Sequence, residues 1–570
     1  MKVKLINKEI TSNFIPELLK ERGINDVEHF LNPTEQDLQT FKDLVNIDKG
    51  VKLIAELQPR AEYIKIGLIV DSDVDGFTSS AIIYQYLKRL GFKDIVYYIH
   101  DGKQHGLEDM WEQLQEESYD LIICPDSASN DAQYAEQLSC PILVLDHHIS
   151  DIEPSSNMIV INNQNSLNYK NKNLSGAGIT YQFCRALDEH FKNNWAEDYI
   201  DLAAVGIDGD MMSGLEIENQ YIWKVGFSSI KNYFLKVLLE KQAYSMNNEI
   251  NPISVAFYIV PLINAMIRVG TEEEKQRLFL AFINSHELVP CNKRGAKGTM
   301  EEVAVESARE CTNAKSRQNK IKDKMVEVLE QKIFKYDLLE NKILFIELDE
   351  EDDFPPELNG LTATQISQKY KKPTIIARLN NDGFYRGSAR GINNGPLDSF
   401  KDYLSSTGLF EYTLGHDMAF GQSISKDNVD YFLELSNKQL ANLDFGEKQY
   451  NVNFICKGNT SYLNDLIIDI DKYRDIYSQQ NDEPLIYISD INLVKNDIQI
   501  IGSNHDTVKI IKNNIVYIMF HAKDLINELA KYDNIHLDII GRGNVNYWGG
   551  NVTPQIIIND YQVSDGRFSF

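Results

Sequence analysis

Cysteine is scarce in this 570-residue chain. There are six, Cys124, Cys140, Cys184, Cys291, Cys311 and Cys456, scattered and with no Cys-x-x-Cys pair. Reduced thiols in a cytoplasmic protein are the expectation. No apolar stretch reaches the ~20 residues needed to cross a bilayer, so no membrane association is expected. The opening Met1-Lys-Val-Lys-Leu-Ile-Asn-Lys-Glu lacks the apolar core of a secretion signal. Internal repeats and long low-complexity segments are also missing. Positive charge is in deficit, with 57 Lys and Arg against 84 Asp and Glu and a net charge of −27. Such a chain repels polyanions at long range, and would bind one only along a local basic track. Three groups offer such a track: Lys293, Arg294 and Lys297; Lys315, Arg317, Lys320, Lys322 and Lys324; Lys369, Lys371, Lys372, Arg386 and Arg390. The middle group lies on a long helical stretch that also carries acids, and a solvated linker helix explains it as well as contact does.

Hydrophobic content of 43% is enough for packed cores, and 570 residues are too many for one. Residues 1–58 read as mainly helical, a cap on the first domain. From 59 to 165 strands (64–70, 94–99, 120–124, 141–146, 157–161) alternate with helices (78–90, 107–117, 131–138), which predicts an α/β, doubly wound, mostly parallel sheet. A helical stretch to 285 completes that domain, and 286–335 is a connecting helical segment. Residues 336–446 mix strands and helices as a second α/β domain. Short β runs over 447–570 suit a small barrel, and five-stranded barrels of this type commonly bind oligonucleotides.

Three aspartates on alternate positions, Asp71, Asp73 and Asp75, followed by Gly76, close the apolar run Ile66 to Val70. That run reads as a buried strand, so the carboxylates lie on the turn at its C-terminal end, where open α/β sheets bind ligands. Three acids this close repel unless a cation neutralises them, and oxygen donors suit Mg²⁺ or Mn²⁺. An acidic surface turn and a Ca²⁺ loop are the alternatives. The Ca²⁺ helix–loop–helix needs a Glu at its twelfth position, and here that residue is Ile82. Asp126 follows another apolar run, Asp146-His147-His148 a third, and Asp208-Gly209-Asp210 a fourth. Adjacent histidines after an aspartate at a strand end point to ligands more than a lone histidine does. Four such clusters on one sheet edge suit a metal pair ~3.5–4 Å apart, the arrangement that clamps the oxygens of a phosphoryl transfer.

Asp73-x-Asp75-Gly76, Asp126, Asp146-His147-His148 and Asp210 resemble the four motifs of the DHH phosphoesterase superfamily. Longer matches resemble its RecJ branch, the single-strand-specific 5′ exonucleases. They are Arg22-Gly23-Ile24, Phe30-Leu31-Asn32-Pro33, Asn264 to Arg268, Arg386-Gly387-Ser388-Ala389-Arg390, and Gly541 to Asp560 with Asn546, Trp548, Gly550 and Gln555. The resemblance runs in order across nearly the whole chain. It implies a DHH domain at 59–285, a DHHA1 domain at 336–446 and an oligonucleotide-binding (OB) fold at 447–570. The implied activity is 5′-to-3′ hydrolysis of single-stranded DNA in recombination or repair, with two Mn²⁺ or Mg²⁺ ions. Asp71, Asp73, Asp75, Asp126, His147 and Asp210 are the implied metal ligands, with Asp126 bridging. His148 would touch the phosphate, and Asp146 would orient an imidazole or simply cap its strand. Ser388 and Arg390 would bind a phosphate, with Arg268 and His416 as further contacts. Trp548 and Tyr547 are candidates to stack on bases, although aromatic residues in small barrels are more often core. The implied partners are single-stranded DNA and a single-strand-binding protein or helicase, met by a monomer.

Three departures stand out. His416 remains where the branch has Gly-Gly-His, but Leu414 replaces the first glycine. The arginine of the branch's Pro-Asn-Arg segment is missing from Tyr98 to Lys103, which leaves His100 and Lys103 as substitutes. Asp208 is an additional acid and the alternate to Asp210. Three rivals remain: a phosphatase or nanoRNase acting on short oligonucleotides, an inactive DNA-binding scaffold, and an inorganic pyrophosphatase, for which this chain is too long. The terminal barrel argues against the first and the intact metal motifs against the second.

Overall fold

A computed structural model describes residues 2–100, 105–349, 351–446, 449–548 and 551–566. The chain forms two compact units, one of Glu28–Asn319 with Asp475–Asp482, the other of Met1–Val27, Lys320–Arg474 and Glu483–Phe570. This corrects the expectation that residues 1–58 cap the first domain. Strand β1 (Lys2–Leu5) pairs in parallel with Gln449–Val452. Helix Phe14–Glu21 buries Phe14, Ile15, Leu18 and Leu19, and the Ile15 amide donates to Asp469 Oδ2 at 3.1 Å. Only from residue 28 does the chain join the first unit, where helix Ile47–Leu57 packs Gly50 against Leu143, Ile161 and Phe183.

Strands β2 (Lys65–Val70), β3 (Asp94–Ile99), β4 (Leu121–Pro125), β5 (Ile142–Asp146) and β6 (Met158–Asn162) form an all-parallel sheet in the order β3-β2-β4-β5-β6. β4 and β5 are buried at every position, as continuous apolar runs covered on both faces must be. The order reverses at β2, which has β3 on one side and β4 on the other. Connections there leave in opposite directions and open a crevice beyond the C-terminal ends of β2 and β4. The helix after β2 is Val74–Arg89, four residues earlier than the sequence predicts, because Asp73 caps it by accepting from the Gly76 amide. The helices expected at 107–117 and 131–138 shrink to Trp111–Gln115 and Ala132–Ala135. Helices from Gly176 to Ile283 follow within the same unit. Pro252–Val269 has the length and composition to cross a membrane, and more than half of it is buried in this unit.

A hairpin, β7 (Leu288–Pro290) and β8 (Met300–Glu302), leads into the 33-residue helix Val303–Lys335. In the second unit β9 (Leu344–Leu348), β10 (Thr374–Leu379), β11 (Phe384–Arg390), β12 (Phe410–His416) and β13 (Ala419–Ser425) form a mixed sheet ordered β12-β13-β11-β10-β9. The partner of β1 is β14 (Gln449–Val452). The C-terminal segment forms seven strands: β15 (Phe454–Lys457), β16 (Leu485–Val494), β17 (Ile498–Ile501), β18 (Thr507–Lys512), β19 (Ile515–Met519), β20 (Asn534–Trp548) and β21 (Asn551–Asp565). Their order is β15-β16-β20-β21-β19-β18-β17, around the long antiparallel pair β20 and β21.

Leu19→Ala empties a fully buried position of the N-terminal helix, at a cost of about 2–5 kcal/mol. Amide hydrogen exchange should accelerate in β14 to β16 and stay unchanged in β2 to β6. Faster exchange confined to β2 to β6 would contradict the assignment of residues 1–27.

Candidate metal centre

Asp71, Asp73 and Asp75 leave β2, Asp126 leaves β4, and His147 leaves β5. The topology therefore delivers them to one end of the sheet. Donor atoms of Asp71, Asp73 and Asp126 lie within 4.8 Å of one another, as do those of Asp75, His147 and Asp210. The two sets touch: His147 Nε2 is 3.2 Å from Asp126 Oδ1, 3.4 Å from Asp210 Oδ2 and 4.0 Å from Asp75 Oδ2.

Backbone amides hold two of these carboxylates, Asp73 through Gly76 and Asp75 through a helix start. Asp75 lies on the N-terminus of helix Gly176–Phe191, accepting from the Gly176 amide (2.6 Å), the Ala177 amide (3.0 Å) and the Ser175 hydroxyl (2.8 Å). Unpaired amides and the helix dipole favour an anion there. Gly176 is required by close approach, since a Cβ would fall 2.6 Å from Asp126 Oδ1. Asp126 itself sits at φ +60° and Ala128 at φ +75°, a conformation costing a non-glycine residue of order 1 kcal/mol or more. Asp210, by contrast, ends helix Ile200–Gly209 at the negative end of its dipole.

Crowding distorts the acidities. Burial, then Asp71 and Asp75, raise the Asp73 carboxyl to about 6. Burial and the surrounding aspartates push Asp126 and Asp210 well above the carboxylate range. Burial lowers His147, leaving a neutral imidazole of the kind that ligates metals. Asp126 Oδ1 and His147 Nε2 are both buried and lack hydrogen-bond partners. Two facing, unsatisfied donor atoms among carboxylates that repel one another fit divalent cations bound between them.

Around this centre Asp146 Oδ1 accepts from the His147 and His148 amides and from His148 Nδ1 at 2.8 Å, while Oδ2 accepts from the Ser129 amide. With both oxygens occupied it acts as an anchor. Burial alone would lower His148, but Asp146 raises it to about 9, so this half-exposed ring is charged at neutral pH. Burial would raise Asp71, yet bonds with His100 and His105 hold it below the carboxylate range.

Two expectations need correction. His100 is fully buried, with one ring nitrogen 3.0 Å from Asp71 and the other 2.9 Å from the Gly106 carbonyl, so no nitrogen remains for a phosphate. Asp208 is buried and belongs to neither donor set, whereas Asp210 belongs to one. Lys103 and the Trp548 side chain lie outside the described residues. Tyr547 is exposed, its hydroxyl donating to Asp471. Arg268 is half-buried in the last turn of helix Val260–Val269. In the second unit Arg390, Ala419 and His416 share one row across β11, β13 and β12. Ser388 lies two residues along, so all three candidates share one face of that sheet. His105 and the Ser175-Gly176-Ala177 turn were not anticipated.

Divalent cations should stabilise the protein more at pH 7.5 than at pH 5. Asp73 titrates near 6 when folded, above its ordinary value, so without cations this carboxyl loses stability as pH rises through that range. Thermal unfolding with and without Mn²⁺ measures the difference. An increment that is equal or smaller at pH 7.5 would contradict the reading.

The sequence pattern described as the DHH family, N-terminal domain, matches residues 65–207, and that of the RecJ OB domain matches 462–560. YorK of Bacillus subtilis, a prophage-derived protein named as a single-strand DNA-specific exonuclease, is 35% identical over 97% of this chain and 96% of its own length. RecJ of the same organism, a single-stranded-DNA-specific exonuclease, is 25% identical over 99% of this chain and 70% of its own. In fold the chain is similar to RecJ of Thermus thermophilus, crystallised with Mn²⁺, at a TM-score of 0.72 and 19% identity, covering 99% of this chain and 80% of that one. With a relative this similar along its full length, and both signature domains in order, the chain belongs to the RecJ branch of the DHH family.

Proposed function

We propose that the protein is a metal-dependent exonuclease that hydrolyses the phosphodiester bonds of single-stranded DNA from the 5′ end, in recombination or repair. The observation that carries this reading is the meeting of two donor sets around the partnerless atoms of Asp126 and His147. The names of YorK and RecJ support the substrate, and RecJ structures with Mn²⁺ and Mg²⁺ support the cofactor.

Asp71, Asp73, Asp75, Asp126, His147 and Asp210 would hold two ions, with Asp126 shared. Bound divalent cations supply an acidified water and neutralise charge growing on phosphoryl oxygens. His148, protonated at neutral pH and fixed by Asp146, donates to a phosphate oxygen. Asp146 therefore positions and does not react. The sheet face bearing Ser388, Arg390 and His416 takes a phosphate of the strand, for which guanidinium offers a two-pronged donor. The same reading makes the protein a cytoplasmic monomer that meets its strand beside a single-strand-binding protein or helicase.

End-labelled single strands digested with Mn²⁺ test the proposal. Mononucleotides should be released first from the 5′ label. Asp126→Ala should reduce turnover by roughly 10³-fold, since losing a shared ligand removes several kcal/mol of charge stabilisation and about 1.4 kcal/mol is tenfold. Undiminished turnover by a folded Asp126→Ala protein, or activity confined to dinucleotides, would overturn the proposal.

A further inference from the structure

Charge on this protein is distributed unevenly, and the hairpin β7–β8 shows it most clearly. Its tip, Cys291 to Thr299, carries Lys293, Arg294 and Lys297 and no acid. All three are exposed, and none has an acid partner among the described residues. This is notable in a chain with 27 more acids than Lys and Arg. The nearest acids along the chain are already engaged. Glu301 and Glu306 are taken by Arg309, Glu302 by His286 at 2.9 Å, and Glu287 accepts from Asn284. In the other two basic groups four cations are paired with acids: Arg317 with Glu274, Lys322 with Asp323, Lys369 with Glu330, and Arg386 with Asp382 and Glu411.

The hairpin's base is tied down while its tip is open. The Cys291 amide donates to the Thr299 carbonyl at 2.7 Å, and the Val303 amide to Glu287 at 2.7 Å. Val289 is buried in the core of its unit. Gly295 and Gly298, at φ +87° and +91°, turn the tip with nothing packed around them. The preceding helix, Glu272–Ile283, sets Phe279 and Phe282 against Phe77, which follows the Asp73 and Asp75 turn by half a helical turn. The tip is thus held on the same unit, and through the same helix packing, as the metal centre.

We propose that Lys293, Arg294 and Lys297 form an electrostatic contact for the sugar–phosphate backbone of single-stranded DNA, apart from the metal centre. It rests on the nuclease reading for its ligand. Unneutralised cations on a tethered loop bind phosphates without reading bases, and each phosphate neutralised on a single strand contributes ~0.7 to the salt slope.

Binding of a fluorescent oligothymidylate to the full-length protein is measured in EDTA across a salt series, alongside cleavage of the same strand with Mn²⁺. Replacing the three cations with alanine should lower the slope of log K against log salt by about 2 and weaken binding of long strands more than of trinucleotides. A charge-matched control, Lys20→Ala with Lys52→Ala and Lys531→Ala, removes three cations already paired with Glu17, Glu56 and Glu528 and should leave the slope unchanged. A wild-type slope in the hairpin variant, or an equal drop in the control, overturns the contact while wild-type cleavage leaves the nuclease reading standing. A wild-type protein that neither binds nor cleaves the strand overturns both.

Discussion

Five carboxylates and a neutral imidazole converge within a few ångströms at the C-terminal edge of the parallel sheet, and their mutual repulsion is what the surrounding structure must contain. Water cannot screen them, because Asp71, Asp75, Asp126 and His147 are buried. Protons offset part of the cost, which is why Asp73, Asp126 and Asp210 hold theirs beyond the usual carboxylate range. Divalent cations would offset it more completely, and the unsatisfied atoms of Asp126 and His147 are the ones such ions would occupy.

Topology makes the gathering possible. With β2 flanked by β3 and β4, loops after β2 and β4 face each other across the crevice where connections part. The helix beginning at Gly176 then holds Asp75 with its free amides, and Gly176 itself leaves room for Asp126. The helix ending at Asp210 brings its last acid in at the unfavourable end of its dipole, a position that makes sense beside a cation.

Much of this was legible in the sequence, for identifiable reasons. Buried parallel strands are continuous apolar runs, so β2 to β6 were found within a residue or two, and the acids at their ends could be read as one site. Other features depend on information that local pattern does not carry. The pairing of β1 with β14 spans most of the chain. His105 sits in an aperiodic loop, and Ser175-Gly176-Ala177 has no chemistry until Asp75 rests on its amides. His100 looked available because ring orientation cannot be read from position. Asp208 and Asp210 are two residues apart at a helix end, about 200° around the axis, so one faces the centre when the other does not.

Anomalous diffraction from crystals grown with Mn²⁺ is the most direct test of the account. It predicts two manganese peaks, one among Asp71, Asp73 and Asp126 and one among Asp75, His147 and Asp210, with Asp126 touching both. Manganese bound only elsewhere on the protein, or no peak at saturating Mn²⁺, would contradict it.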